Sequence, residues 1–163
     1  MALIKQGELI ADTFLDVSRA DEIPAAGSVI VSLPQWQAGK SALAARSEPF
    51  GLRLCSNESP EQVADDVERF AVIALEFPAF RDGRAYSYAR ILRERYGFAG
   101  ELRAVGDVLM EQLHFMLRVG FDAFELGGED PVAAYRTALQ DFSVWYQPTG
   151  DGRDTAMQLT RSR

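Results

Sequence analysis

Apolar and polar positions along this chain switch repeatedly between a strand-like and a helix-like period, and the clearest run of switches lies between residues 71 and 126. Residues 71–77 (Ala-Val-Ile-Ala-Leu-Glu-Phe) are too short an apolar run for a helix and branched enough for a buried strand. Residues 78–84 lead into a helix expected over about 83–96, which Gly97 and Gly100 close, and 101–105 is the next strand. Gly106 and Asp107 open a second helix, expected over 108–119 and stopped by Gly120, before a third strand at 123–126. Two βα units in succession imply parallel strands, whose functional loops gather at the carboxyl ends.

The same reading extends in both directions. Residues 28–33 and 50–55 are apolar enough for strands, and Pro34 sits where a helix's first turn tolerates it. Trp36, Ala42, Leu43 and Ala45 then form one face of a helix that Gly39 weakens. Ser59, Pro60 and Gln62 make a capping box, with Gln62 reaching back to the cap, and Val63, Ala64, Val67 and Phe70 follow on one face. Asp130 and Pro131 start a further helix whose buried stripe is Ala134, Tyr135, Ala138, Leu139 and Phe142. Residues 144–147 offer a last short strand. Residues 1–27 are irregular apart from one or two edge strands between 9 and 17, and the polar, glycine-rich residues 148–163 read as a flexible tail. The expectation is a single α/β domain over 1–147. It has a mainly parallel sheet of about five strands built from successive βα units, open or curled like part of a barrel.

Charge and cysteine content narrow the chemistry. A formal charge of −7 argues against a sequence-independent grip on nucleic-acid phosphates and against anionic membranes. No run approaches a membrane span and the first residues lack the pattern of a signal peptide, so a cytoplasmic protein is expected. One cysteine, Cys55, excludes an internal disulfide or a multi-cysteine metal site within the chain.

Three constellations stand out. The loop after the central strand supplies Arg81, Arg84, Tyr86 and Ser87 at a helix start, a pattern suited to a small anion unless Asp82 caps that helix itself. Glu76, Asp107 and Glu125, near the ends of successive strands, are an acid/base or magnesium candidate, although Asp107 equally suits an N-cap and Glu125 an ion pair. The helix at 108–119 is apolar almost all round, and Leu109, Leu113, Phe115 and Met116 are its candidate interface, for a partner or a second copy of the chain. His114, with Glu111 and Arg118, is expected on that helix's exposed stripe. Residues 34–41 end in Gly-Lys-Ser after a strand, but Pro34 stands where a phosphate-binding loop needs glycine. Cys55 is an inert packing residue or an activated thiol. Dinucleotide, nucleophile-elbow and dithiol motifs are absent.

Three blocks together carry a family resemblance: 80–90 (Phe-Arg-Asp-Gly-Arg-Ala-Tyr-Ser-Tyr-Ala-Arg), 100–110 (Gly-Glu-Leu-Arg-Ala-Val-Gly-Asp-Val-Leu-Met) and 119–125 (Val-Gly-Phe-Asp-Ala-Phe-Glu). The chain resembles the bacterial domain-of-unknown-function family 934, whose members are commonly labelled "oxidoreductase probably involved in sulfite reduction". That resemblance implies a role in sulfur assimilation and a partner such as sulfite reductase or another enzyme of that process. It carries over no catalytic residue and names no cofactor. One histidine and one cysteine exclude a haem or cluster subunit within this chain. The leading expectation is an accessory protein of sulfite reduction that binds a partner or a small anion. The alternative is a small enzyme of the same process, oxidoreductase or magnesium-assisted, with its site at the strand carboxyl ends.

Overall fold

The computed structural model describes residues 1–140 and 144–161. These form one mixed sheet of eight strands, most of them parallel, in the order β2-β1-β8-β7-β6-β5-β4-β3. The five expected strands are present as β4 (Val29–Ser32), β5 (Phe50–Leu54), β6 (Val72–Phe77), β7 (Glu101–Gly106) and β8 (Ala123–Leu126). The count of five is too low because residues 1–27 supply three more: β1 (Ala2–Lys5), β2 (Glu8–Ile10) and β3 (Leu15–Asp16). β1 pairs antiparallel with both β2 and β8, and β3 extends the opposite edge in parallel with β4.

The short link between the two edges dictates the sheet's shape. Laid flat, eight strands about 4.8 Å apart would hold β2 and β3 roughly 34 Å from each other. The chain from Ile10 to Leu15 reaches at most about 18 Å when fully extended. The sheet therefore curls into a half-barrel, and the link between β2 and β3 runs from one edge to the other.

The helices pack on the outer face. Ile4, Val29, Val31, Leu52, Leu54, Ile73, Leu75, Phe77, Leu102, Ala104 and Phe124 point to that side, alternating along their strands, and join one buried core. Helix α1 (Leu33–Ala44) covers β4 and β5. Its capping box is Ser32 with Gln35, and a kink at Gly39 turns Ala42 and Ala45 out to solvent while Trp36 packs against Phe50 and Phe70. The capping box expected at Ser59 is only half made. Ser59 accepts from the Glu61 amide, Gln62 makes no return bond, and the segment Pro60–Arg69 winds as a 3₁₀ helix with its own kink at Val63.

The expected helix at 83–96 is α2 (Arg84–Arg90), which loosens into a π-helical turn, Ile91–Arg95. The helix expected at 108–119 starts later than predicted. A 3₁₀ turn at Met110–Gln112 precedes α3 (Leu113–Arg118), because Asp107 is used elsewhere and does not cap it. α4 (Pro131–Gln140) begins as expected, with Asp130 accepting from the Ala133 amide, and buries Tyr135 and Ala138 while Leu139 remains exposed. Phe142 lies outside the described residues. In place of a strand at 144–147 there is a single bridge from Trp145 to Thr155, followed by α5 (Ala156–Arg161).

The concave face is built of long charged and small apolar side chains in register. Ser32, Arg53, Ala74, Arg103, Ala123 and Lys5 lie in one row across six strands, so small neighbours flank each arginine. Arg103 is only 1% exposed, yet it is fully paired: Nη1 donates to Asp12 at 2.7 Å and Nε to Glu101 at 2.9 Å. Arg53 bridges Asp16 at 2.7 Å and Glu76 at 2.9 Å, and Arg19 adds a second contact to Glu76. Removing one partner from such a network strands the others away from water. Arg103→Ala is accordingly expected to lower stability in urea unfolding by about 3–5 kcal/mol, whereas Arg90→Ala, at an exposed pair with Glu94, should cost under about 1 kcal/mol.

Candidate functional site

The carboxyl ends of β6 and β7 are pinned together before any pocket forms. Gly106 adopts φ +94°, and a side chain there would meet the Phe77 carbonyl oxygen at 2.5 Å, so only glycine allows this approach. The Asp107 amide donates to the Phe77 carbonyl at 2.7 Å, and the Asp107 carboxylate accepts from the Phe80 amide at 3.0 Å. Asp107 thus holds the loop after β6 and projects Phe80 outward. Tyr86, on α2, packs edge-on against Phe77 with ring centroids 5.3 Å apart.

Beside that loop lies a pocket of about 640 Å³ lined by Phe80, Tyr86, Glu111, Gln112, Phe115, Arg118, Val119, Gln147 and Thr149. Its size is that of a small-molecule site. Phe80 and Phe115 stand at its rim, 55% and 54% exposed. Arg118 is buried in its wall, with Nε held by Asp151 at 3.1 Å, Nη2 donating to the Gln147 carbonyl, and the guanidinium 4.4 Å from the Trp145 ring centre. Its charge is therefore already met. Burial pushes the Tyr86 hydroxyl up to about 12, so it remains a neutral donor.

The sequence candidates divide around this pocket. Tyr86 lines it; Arg84 does not. Arg84 is exposed and clamped by Asp82 through Nε at 2.9 Å, with Nη2 also donating to Ser56 at 2.9 Å. That pair raises Arg84 and holds the Asp82 carboxyl below the usual carboxylate range. Asp82, one residue before the N-cap Gly83, also accepts from the Arg84 amide at 3.2 Å, while Arg81 and Ser87 are exposed. Of the interface candidates only Phe115 is fully outward. Leu109 is half-buried, and Leu113 and Met116 are buried in the core cluster, where α3 packs on α4. His114 is buried between Phe115 and Trp145 instead of lying on an exposed stripe.

Glu76, Asp107 and Glu125 each have separate work, and among the described residues no group of histidine, cysteine or acidic side chains is arranged to hold a metal ion. Glu76 serves Arg53 and Arg19. Burial alone would raise its carboxyl, but hydrogen bonds from Cys55 and Arg53 and the two arginine charges hold it low. Glu125 lies on the concave face, 3.6 Å from Arg103, and burial pushes its carboxyl up. With Leu3, Ile10 and Asp12 it lines a second pocket of about 680 Å³. Burial, the hydrogen bond with Glu76 and the charges of Glu58 and Glu76 push the Cys55 thiol up to about 11, which sets aside the activated-thiol alternative.

Phe80, Gln112, Val119, Gln147 and Thr149 were not singled out by sequence. Tyr86 and Phe115 were the lining residues the sequence had offered, and a phenylalanine inside the polar loop 78–84 is the further signal that could have found Phe80; the others converge only in three dimensions.

The family model described as "Bacterial protein of unknown function (DUF934)" matches residues 51–157. No curated protein and no solved structure matches the chain. The matched stretch spans β5 to the start of α5 and includes every residue that lines the aromatic pocket. The chain belongs to this family.

Three ionisable groups have expected outcomes of their own. Glu76 is held low, so its stabilising contribution is present above its ordinary value of 4.5 and fades as pH falls through its depressed value. Glu76→Gln should therefore cost about 1–3 kcal/mol in urea unfolding at pH 7, a gap that closes in acid. Glu125→Gln should show the opposite sign at pH 7, because it removes a charge that burial disfavours. In alkylation by iodoacetamide, Cys55 should react far more slowly than a free thiol at pH 8 and accelerate only toward pH 11.

Proposed function

We propose that this DUF934 protein is an accessory protein of sulfite reduction that works by binding, with the aromatic-rimmed pocket as its binding surface. The observation that carries this is the pairing of two half-exposed phenylalanines, Phe80 and Phe115, at the mouth of a mainly apolar pocket beside the strand carboxyl ends. Exposed aromatics at the edge of a pocket are the usual anchors of recognition surfaces. The ionic groups around it favour binding over small-anion capture: Arg84 is clamped by Asp82, and Arg118 by Asp151. The process itself rests on the resemblance of the blocks 80–90, 100–110 and 119–125 to the family whose members carry the sulfite-reduction label. No helix among the described residues is long and apolar enough to cross a membrane.

A second reading, an enzyme of the same process, draws on one observation. Glu125, its carboxyl raised by burial, lines the concave-face pocket together with Asp12, a setting suited to a general acid. It predicts a turnover that Glu125→Gln abolishes.

The binding reading is tested with purified sulfite reductase from the same bacterium and immobilised protein. Wild type should retain the reductase, and Phe80→Ala with Phe115→Ala should reduce retention at least about tenfold, as two lost anchors of about 1–2 kcal/mol each imply. Thermal unfolding should remain within a few degrees of wild type, because both side chains are largely outside the core. Failure of wild type to retain the reductase would remove it as the partner.

A further inference from the structure

We infer that the aromatic pocket takes a flat, uncharged heteroaromatic ring that carries hydrogen-bond acceptors along one edge. This rests on the proposal that the pocket is the protein's binding surface, and it adds the chemical class of the occupant. Three aromatic side chains, Phe80, Tyr86 and Phe115, contribute to the lining, and Val119 adds an aliphatic wall. A ring gains dispersion and stacking there that a flexible chain of the same size does not match.

The polar groups specify the ring's edge. The Gln112 side-chain oxygen is occupied by the Leu109 amide at 3.2 Å, which leaves its amide nitrogen as a donor toward the pocket. Among the described residues that nitrogen and the Tyr86 hydroxyl have no hydrogen-bond partner, and Tyr86 stays protonated at every physiological pH. The Thr149 hydroxyl is buried beside the Asp151 carboxylate, with no well-formed bond of its own. The Gln112 amide nitrogen and the Tyr86 hydroxyl, both on residues that line one mainly apolar pocket, are the kind of donors that the acceptor edge of a purine or flavin-type ring requires.

Charge sets the other limit. Glu111 contributes an exposed carboxylate to the lining, and the cation in the wall, Arg118, already has Asp151 and the Gln147 carbonyl. An anionic tail on the ring would face that carboxylate, and among the described lining residues the one cation is already paired. The neutral form of a ring should therefore bind better than its phosphorylated form. Most nucleotide sites have the opposite preference, because a cradle of backbone amides or a basic residue holds the phosphate.

The test is equilibrium titration, by fluorescence for riboflavin and calorimetry for adenosine, with FMN and AMP as the phosphorylated counterparts. The wild-type chain is compared with Phe115→Ala and Tyr86→Phe. Phe115 is exposed and Tyr86→Phe keeps the ring, so both variants retain the fold; circular dichroism confirms it. Saturable one-to-one binding of at least one neutral ring is expected, roughly tenfold weaker in Phe115→Ala and about fivefold weaker in Tyr86→Phe. The matching phosphorylated ring should bind more weakly at low salt. Absence of saturable binding by either neutral ring up to its solubility limit overturns the inference. So does binding that both variants leave unchanged, or a phosphorylated ring that binds as tightly as its neutral form. The outcome separates from the partner assay: reductase retention without ring binding leaves the accessory role and removes this ligand, while ring binding without retention does the reverse.

Discussion

Everything in this structure depends on how few residues join its two sheet edges. The link from Ile10 to Leu15 is too short to cross a flat eight-stranded sheet, so the sheet curls until its edges come within reach. Curling crowds the concave face. Where strands converge, bulky side chains cannot stand side by side, and the row through Arg53, Ala74, Arg103 and Ala123 answers this by alternating long and small. The arginines then need partners in a space with little water. Asp12 comes from the same short link that forces the curl and Asp16 from β3 just after it, while Glu76 lies on the strand next to Arg53 and Glu101 on Arg103's own strand. One covalent constraint thereby fixes both the shape of the sheet and the chemistry of its inner face.

The two faces consequently divide the protein's work. On the concave side, charge is largely spent on holding the barrel together, and the thiol of Cys55 and the carboxylate of Glu76 are drawn into that network. On the outer side, the core is aromatic and aliphatic, and it reaches solvent where the loop after β6 meets α3. Asp107 joins the two regions: by accepting the Phe80 amide instead of capping the next helix, it delays that helix to residue 110 and fixes the rim of the pocket. A residue that looks like a catalytic acid in sequence acts here as a loop anchor.

Much of the fold was legible because burial on both faces writes itself as apolar runs. β4 to β8 each follow such a run, and their parallel order follows from the helices between them. The three N-terminal strands were harder to read because they are short and lie toward the edges, where β2 exposes Glu8 and Leu9 and β3 exposes both residues. Two Ser-x-x-Gln patterns, at Ser32 and Ser59, look equivalent in sequence, yet only the first closes into a full capping box, since the second is followed by a 3₁₀ turn. The candidate site was less legible for a physical reason. Its lining comes from three stretches separated by about 25 residues or more, and the feature that matters most, which charges are already paired, is a property of distances and not of spacing. Arg84 looked like an anion ligand until Asp82, two residues away, was found to clamp it. Arg53 and Arg103, charged residues inside apolar strands, were the available sign that one face of the sheet is not an ordinary core.

The central claim is that recognition takes place on the outer aromatic surface and not on the charged concave face. Amide hydrogen exchange of the protein, alone and with purified sulfite reductase, tests it most directly. The account predicts added protection confined to residues 79–86, 110–119 and 147–149, with exchange in β5, β6 and β7 unchanged. Protection centred on residues 11–19 and on the strand ends around Glu76 and Glu125, with the aromatic loop unaffected, would contradict it and move the functional site to the concave face.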